Sequence, residues 1–336
     1  MASVSIVILN FNGRNYLEKF LPSVTQHSKE HEIVVADNNS SDGSIDFLKN
    51  SYPDIRLISF SENYGFCQGY NKALDQLDSD IFILLNSDIE VTKDWIDPIL
   101  KLFDEDEKVA AVQPKLLDFN HKNKFEYAGG AGGFIDKYGY PFCRGRIFDT
   151  IETDIGQYDD TREIFWATGA CLFIRAHLYK SFGGFDADFF AHMEEIDLCW
   201  RMKLEGYKVF HCGESVVYHV GGGTLAYSNP WKTYLNFRNS LLVLIKNLPV
   251  QSLVWKLPIR WVIDYIAVAK FIFTANLRDA LMVIQAHIYI WRNFLKTLKK
   301  RKFIRKTNAN LTGTLPKLLL FKYYIARVRK FSDLNL

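Results

Sequence analysis

The apolar run Ile81-Phe82-Ile83-Leu84-Leu85 passes directly into Asn86-Ser87-Asp88, the pattern of a buried strand that carries a carboxylate to the edge of a sheet. Asp88 is therefore a candidate metal ligand. The pattern occurs twice before: Ile33-Val34-Val35-Ala36 leads into Asp37-Asn38-Asn39-Ser40-Ser41-Asp42, and Ile6-Val7-Ile8-Leu9 into Asn10-Phe11-Asn12. Further along, Glu194, Glu195 and Asp197 open a charged stretch, and His219 follows Ser215-Val216-Val217-Tyr218. Carboxylates with one imidazole suit Mg2+ or Mn2+ better than zinc, and such ions bind substrate phosphates. A diphosphate substrate is implied. Neither a G-x-G-x-x-G nor a G-x-x-x-x-G-K-[ST] loop follows any of these strands, which removes the main support for a dinucleotide oxidoreductase or a P-loop kinase.

These residues need elements to position them. Short apolar strands, each followed by a polar loop and a helical pattern, predict parallel strands with crossovers, whose ligands gather at the carboxyl ends. Helices are predicted over 14–25, where Leu17, Phe20, Leu21 and Val24 share a face, and over 69–77 and 95–103. Between 119 and 160 the pattern loosens, and the glycines of 129–133 read as tight turns in preference to a mobile flap. A strand over 170–174 then precedes Gly183-Gly184-Phe185-Asp186 and a helix from about Glu194 to Glu205.

The 336 residues are 48% hydrophobic and 24% charged, a globular composition large enough for a catalytic body and a smaller appendage. A net charge of +3 conceals a division: residues 231–336 hold 20 Lys or Arg against three Asp, while the first 230 hold 21 against 35 acids. The division predicts two regions, 1–228 and 229–336, the second helical, basic and drawn to an anionic surface. Its longest uncharged stretch, 280–291, has 12 residues, short of the roughly 20 that span a bilayer. Trp255, Trp261, Tyr265, Phe271, Phe273, Tyr289 and Trp291 among Lys256, Arg260, Lys270, Arg278 and Arg292 instead predict helices lying on a membrane. Five cysteines without a C-x-x-C pair suggest neither a disulfide framework nor a zinc cage. The first apolar run is needed as a strand and has no basic region before it, so no signal peptide is expected. The expected location is cytoplasmic, peripheral to the inner face of the cell membrane.

In order and spacing, these motifs resemble the family 2 glycosyltransferases, in particular the bacterial rhamnosyltransferase-like subset, over roughly Val4 to Thr224. The resemblance implies a GT-A fold, an α/β body with a mostly parallel central sheet flanked by helices. It also implies a metal-dependent, inverting transfer of a sugar from a UDP- or dTDP-sugar to a hydroxyl of a saccharide acceptor, lipid-linked, in cell-surface polysaccharide synthesis. Donor contacts fall on Asn10, Asn12, Asp37, Asn39 and Asp42, on the turn residues Asn63, Gly65, Gly69 and Asn71, and on Asn86. Asp37 is expected to accept the imino N–H of the base, or else to cap the turn that follows it. The resemblance places the metal on Asp88, with His219 completing its shell or else standing as a hydrogen-bonded core histidine. Relatives carry Glu-Asp where this chain has Glu194-Glu195, which places the general base on Glu195 with Glu194 as the alternative. Asp197 stands four residues before Arg201, a spacing for a supporting ion pair. Phe185, Phe189 and Phe190 are expected to wall the cleft.

Two other functions fit parts of the pattern. A nucleotide-sugar-binding membrane protein without turnover needs no base, and this chain retains one. A nucleic-acid protein would use the basic tail, but no recognition motif accompanies it; no nucleic-acid partner is expected.

Overall fold

Strand β1 (Val4–Asn10) is followed by α1 (Arg14–His27), β2 (Glu32–Asp37), α2 (Ser44–Ser51), β3 (Arg56–Ser59), α3 (Gly65–Leu74) and β4 (Ile81–Asn86). The computed structural model describes residues 2–221, 229–301, 309–334 and 336. Thr224 and residue 228, the expected ends of the resemblance and of the first region, lie outside them. β1 pairs in parallel with β2 and β4, and β2 with β3. α1 turns Leu17, Phe20, Leu21 and Val24 inward, the face that their spacing predicts.

The chain continues through β5 (Ile89–Val91), α4 (Asp97–Glu105), β6 (Val109–Asp118), β7 (Gly133–Asp136), β8 (Pro141–Cys143), β9 (Arg146–Ile147) and β10 (Thr150–Ile151). It returns as β11 (Thr161–Ile164), β12 (Cys171–Arg175), α5 (Ala176–Ser181), α6 (Glu194–Leu204) and β13 (Lys208–His219). The main sheet has the order β11-β13-β6-β12-β4-β1-β2-β3, with β5 on β13. β12 runs antiparallel to both β4 and β6. The sheet is thus parallel where β1 to β4 build it and mixed beyond, which corrects the expectation of a mostly parallel sheet. β11 and β12 run in one direction, opposed to that of β6 and β13, so the reversal enters between β6 and β11, in the segment that forms the second sheet.

The loosened segment forms a second sheet from β7 to β10. Its glycines serve turns and close approach: Gly145, at φ +90, closes the β8–β9 turn, and a Cβ on Gly133 would lie 2.2 Å from the Trp166 ring.

Three helices follow, α7 (Pro230–Asn247), α8 (Val250–Phe273) and α9 (Leu277–Lys299), and β14 (Thr314–Leu315) then adds to β7 in parallel. Leu241, Leu244 and Ile245 of α7 join the apolar cluster that holds Phe134, Phe189 and Trp200. The C-terminal helices therefore share a core with the body. α8 is pinned by a buried network in which Arg260 Nε donates to Asp264 Oδ1 at 2.9 Å and Nη2 to Ser240 Oγ at 2.6 Å, with His287 Nε2 3.2 Å from Asp264 Oδ2.

Candidate active site

Parallel register places Asn10 opposite Asp37 at the carboxyl ends of β1 and β2. Asp37 is wholly buried, accepting Asn10 Nδ2 at 2.9 Å and the Ser40 N–H at 2.8 Å. The geometry thus displays its turn-capping role, and contact with a base requires the Ser40 loop to shift. Asn12 and Asn39, both exposed, adopt left-handed φ of 49° and 66°, which Asn tolerates better than most residues. Asn12 Oδ1 accepts the Ser41 N–H at 2.8 Å, and Asp42 accepts those of Arg14 and Ser44 at 2.8 and 3.0 Å. These bonds fasten the two loops to each other beside the exposed ring of Phe11.

The next turn closes on Asn38, whose amide donates to Asn63 Oδ1 at 2.9 Å and to the Gly65 carbonyl at 3.1 Å. Gly65 sits at φ +70, and a Cβ there would lie 2.9 Å from the Phe190 ring. Gly69 meets Leu9 in the same way, so it serves the contact of α3 with β1. Asn71 bridges α3 to the 183–186 turn, donating to the Phe185 carbonyl at 2.8 Å and accepting from the Phe185 N–H at 3.0 Å. Gly69 and Asn71 therefore act inside the scaffold, whereas Asn63 is exposed.

Antiparallel pairing of β5 with β13 sets Ile89 opposite His219, which carries the histidine to Asp88. His219 Nε2 lies 3.1 Å from Asp88 Oδ1, with Asn86 Nδ2 3.5 Å away. On the other side, Glu126 Oε1 stands 3.4 Å from His219 Nδ1, close enough for an ion pair but without hydrogen-bond alignment. Burial opposes charge on the imidazole, but Asp88 and Glu126 outweigh it and push His219 up to about 10. Burial likewise opposes ionisation of Asp88, and His219 overcomes it, holding the carboxyl below its usual range.

Among the described residues no group of three His, Cys, Asp or Glu side chains is arranged to hold a metal ion. The spacing of the pair nevertheless fits a divalent cation, since neighbouring ligands of an octahedral ion stand roughly 3 Å apart.

α6 begins at Glu194, after three left-handed residues, Phe190, His192 and Met193. Glu194 is buried and Glu195 half-buried, and one oxygen of each lacks a hydrogen-bond partner. Burial pushes Glu195 up to about 7, against the pull of the helix-start N–H groups. Burial and the adjacent Glu195 raise Glu194 further. Asp197 behaves oppositely: buried, it accepts Lys246 Nζ at 2.7 Å, Asn247 Nδ2 at 2.8 Å and Arg201 Nε at 2.9 Å. These cations outweigh burial and hold Asp197 low. It is a support. Phe185 and Phe189 are core residues, and only Phe190 of the three expected wall residues is exposed, at 48%.

The acids and the Asp88 corner share one edge. The Asn86 N–H bonds the Ala170 carbonyl at 2.9 Å, and the space beside neighbouring Gly169 is bounded by Phe66 and Glu194 Oε1. The buried phenol of Tyr70, whose hydroxyl donates to the Leu85 carbonyl at 3.2 Å, lies within the electrostatic reach of both Asp88 and Glu194.

The sequence profile described as "Glycosyl transferase family 2" matches residues 5–180, just over half of the chain. The chain belongs to that family. This family 2 glycosyltransferase is 23% identical over 272 residues to the N-acetylglucosaminyl-diphospho-decaprenol L-rhamnosyltransferase of Mycobacterium tuberculosis, covering 76% of this chain and 87% of that one. It is 25% identical over 215 residues to the rhamnosyltransferase WbbL of Escherichia coli, covering 62% and 80%. Among solved structures it is similar to the mannosyltransferase PcManGT of Pyrobaculum calidifontis in complex with GDP-Man and Mn2+, with a TM-score of 0.52, 14% identity and coverage of 89% and 84%. It is also similar to GalNAc-T7 with UDP, GalNAc and Mn2+, with a TM-score of 0.58, 17% identity and coverage of 73% of this chain but 49% of that one. These likenesses establish the GT-A fold.

Several residues around this edge carry no strong signal in the sequence. Glu126 sits in an irregular segment and reaches His219 only through the fold. Lys246, Arg238 and Asn239 belong to α7, where they read as polar positions of a basic helix. Three of the tail's cations, Lys246, Lys296 and Lys300, pair with Asp186, Asp188 or Asp197 of the body. Part of the charge division is thus neutralised inside the molecule.

Proposed function

We propose that this glycosyltransferase moves a sugar from a nucleoside diphosphate, UDP or dTDP, to a hydroxyl of a lipid-linked saccharide, with inversion. The observation that carries this reading is the acid pair at the start of α6, poised on the edge that also holds Asp88 and His219. Glu195 is the base: it keeps partial access to solvent, and a carboxyl near 7 can both lose and take a proton at neutral pH. Its carboxylate takes the proton of the acceptor hydroxyl as the hydroxyl oxygen bonds to the anomeric carbon. The bond from that carbon to the diphosphate breaks, and its electron pair leaves with the nucleoside diphosphate. One displacement from the opposite face inverts the centre.

The exposed Asn12, Asn39 and Asn63 supply polar contacts for the nucleotide, while Asn10, Asp37 and Asp42 hold the loops in shape. Asn86, at the end of β4, faces the sugar or ribose. Asp88 and His219 would hold Mg2+ or Mn2+, which when bound neutralises charge on the departing diphosphate. The relatives' names support the acceptor class, since the mycobacterial protein's name describes a diphospho-decaprenol acceptor.

A lipid-linked acceptor places the protein at a membrane, and the outer faces of α8 and α9 support this. No helix among the described residues is long and apolar enough to cross one. On α9, Leu277, Leu281, Ile284, Ile288, Trp291 and Leu295 are all exposed at alternating steps of four and three; on α8, Trp255, Ile259, Val262, Ile266 and Phe273 form the matching stripe. Two amphipathic helices with aromatic anchors and cations suit the interface of an anionic inner leaflet. Lys246 and Arg260 are buried in internal ion pairs and Arg238 is buried against backbone carbonyls, which argues against a phosphate-tracking surface for nucleic acid.

The test is a thermal-shift screen of nucleotide sugars with divalent cation, followed by transfer to a lipid-linked acceptor. A donor at 100 times its Kd stabilises the native state by about 2.7 kcal/mol. A protein that binds a donor yet never transfers it would be the non-catalytic binder instead.

A further inference from the structure

The loop that delivers the acid pair is held by α7, from the C-terminal region of the chain. Residues 188–193 contain three side-chain-bearing residues in the left-handed region, Phe190 at φ 66, His192 at 68 and Met193 at 69. That conformation persists only where its surroundings over-determine it. Among those surroundings are two adjacent residues of α7. Arg238 Nη2 donates to the carbonyls of Asp188 at 3.0 Å and Phe189 at 2.7 Å. Asn239 Nδ2 donates its two hydrogens to those of Ala191 at 2.8 Å and His192 at 2.7 Å, with the Phe189 carbonyl also close at 3.1 Å. Arg238 Nε also donates to Asn239 Oδ1 at 2.8 Å, which fixes the amide so that its N–H end faces the carbonyls. Both side chains are buried, Asn239 completely.

Two turns further along α7, Lys246 and Asn247 bind Asp197. One helix thus grips the chain on both sides of Glu194 and Glu195. The same loop carries Phe190 against Gly65, and the Cys67 N–H reaches the Phe190 carbonyl at 3.4 Å. Its position therefore also touches the donor turn.

We infer that Arg238 and Asn239 are positioning residues for the reaction: they set where the base stands relative to the donor sugar. The inference rests on the proposed transfer, but not on which of the two glutamates is the base. A displacement of about 1 Å at a reacting group can cost about 100-fold in rate, which is the lever such a clamp holds.

The test uses the full chain with Arg238→Met, which keeps the apolar stem, and with Asn239→Leu and Asn239→Gln. Each variant is assayed well below its Tm for kcat, for its pH profile, and for affinity toward the nucleoside diphosphate of the identified donor. Arg238→Met and Asn239→Leu should bind the nucleotide within about two-fold of the parent while kcat falls about ten-fold or more and the acid limb of the profile moves. Asn239→Gln should recover part of the rate. A folded Arg238→Met protein with parental kcat and pH profile overturns the inference, and if Asn239→Leu does not fold, Arg238→Met alone decides it. Glu195→Gln run alongside separates the two claims: full transfer by it removes the base assignment, while a kcat loss in Arg238→Met at unchanged nucleotide affinity still upholds the clamp.

Discussion

Glu194 and Glu195 stand in succession at the start of α6, where a helix dipole favours anions, yet burial raises both. Burial wins because the N–H groups at the helix start do not compensate for lost water. For Glu195, held near 7 against an ordinary 4.5, two consequences follow. The rate should rise with pH and level off above about 7, since only the ionised carboxylate takes the acceptor's proton. Stability should move the other way: the native state binds more protons than the unfolded chain between about 4.5 and 7, so this group's contribution, complete below that window, is lost as pH rises through it. A pH series of chemical unfolding, compared with Glu195→Gln, should show the slope in the parent and a shallower one in the variant. Equal slopes would show that Glu195 titrates normally. Asp197, three residues from Glu194, has the opposite fate because Lys246, Arg201 and Asn247 satisfy it.

At the level of elements, α7 joins the basic tail to the base-bearing helix through buried ion pairs. Lys246→Met removes a buried partner from Asp197 and Asp186, and removing one side of such a pair typically costs about 3–5 kcal/mol. Urea unfolding should register a loss of that order; a loss below about 1 kcal/mol would mean that water replaces the lysine freely. The strands with carboxyl-end acids were legible because a buried parallel strand writes itself as an unbroken apolar run, as in Ile81 to Leu85. The helical face of α1 was legible through its spacing. β12 was readable as a strand but not as antiparallel, since direction depends on the connection before it and not on composition. Glu126, Arg238 and Asn239 were hidden for a related reason: each acts on residues nearly 50 or more positions away, and no local pattern marks such contacts. The phenylalanines after Gly184 misled because a core aromatic and a cleft aromatic have the same sequence signature.

For the whole molecule, the division of charge has two uses. Part of it closes the C-terminal helices onto the acidic loop around Asp186 and Asp188, and the proposed membrane contact would use cations of α8 and α9 beside two exposed apolar stripes that end at Phe273, 89% exposed at the α8–α9 tip. The full chain should sediment with anionic vesicles and less so at high salt, since each cation near the surface contributes about 1 kcal/mol. Ile266→Glu and Leu295→Glu, both exposed, should weaken that binding about ten-fold or more while leaving the Tm unchanged; vesicle binding equal to the parent's would mean that the stripes serve another contact. The fold brings these scales together by setting β4, β5, β13 and α6 around one edge, where the proposed transfer has leaving group and incoming hydroxyl meet. The most direct test is single-turnover transfer by Glu195→Gln with donor affinity measured on the same protein. The rate should fall by about 100- to 10,000-fold with donor affinity intact; transfer near the parent's rate would contradict the account.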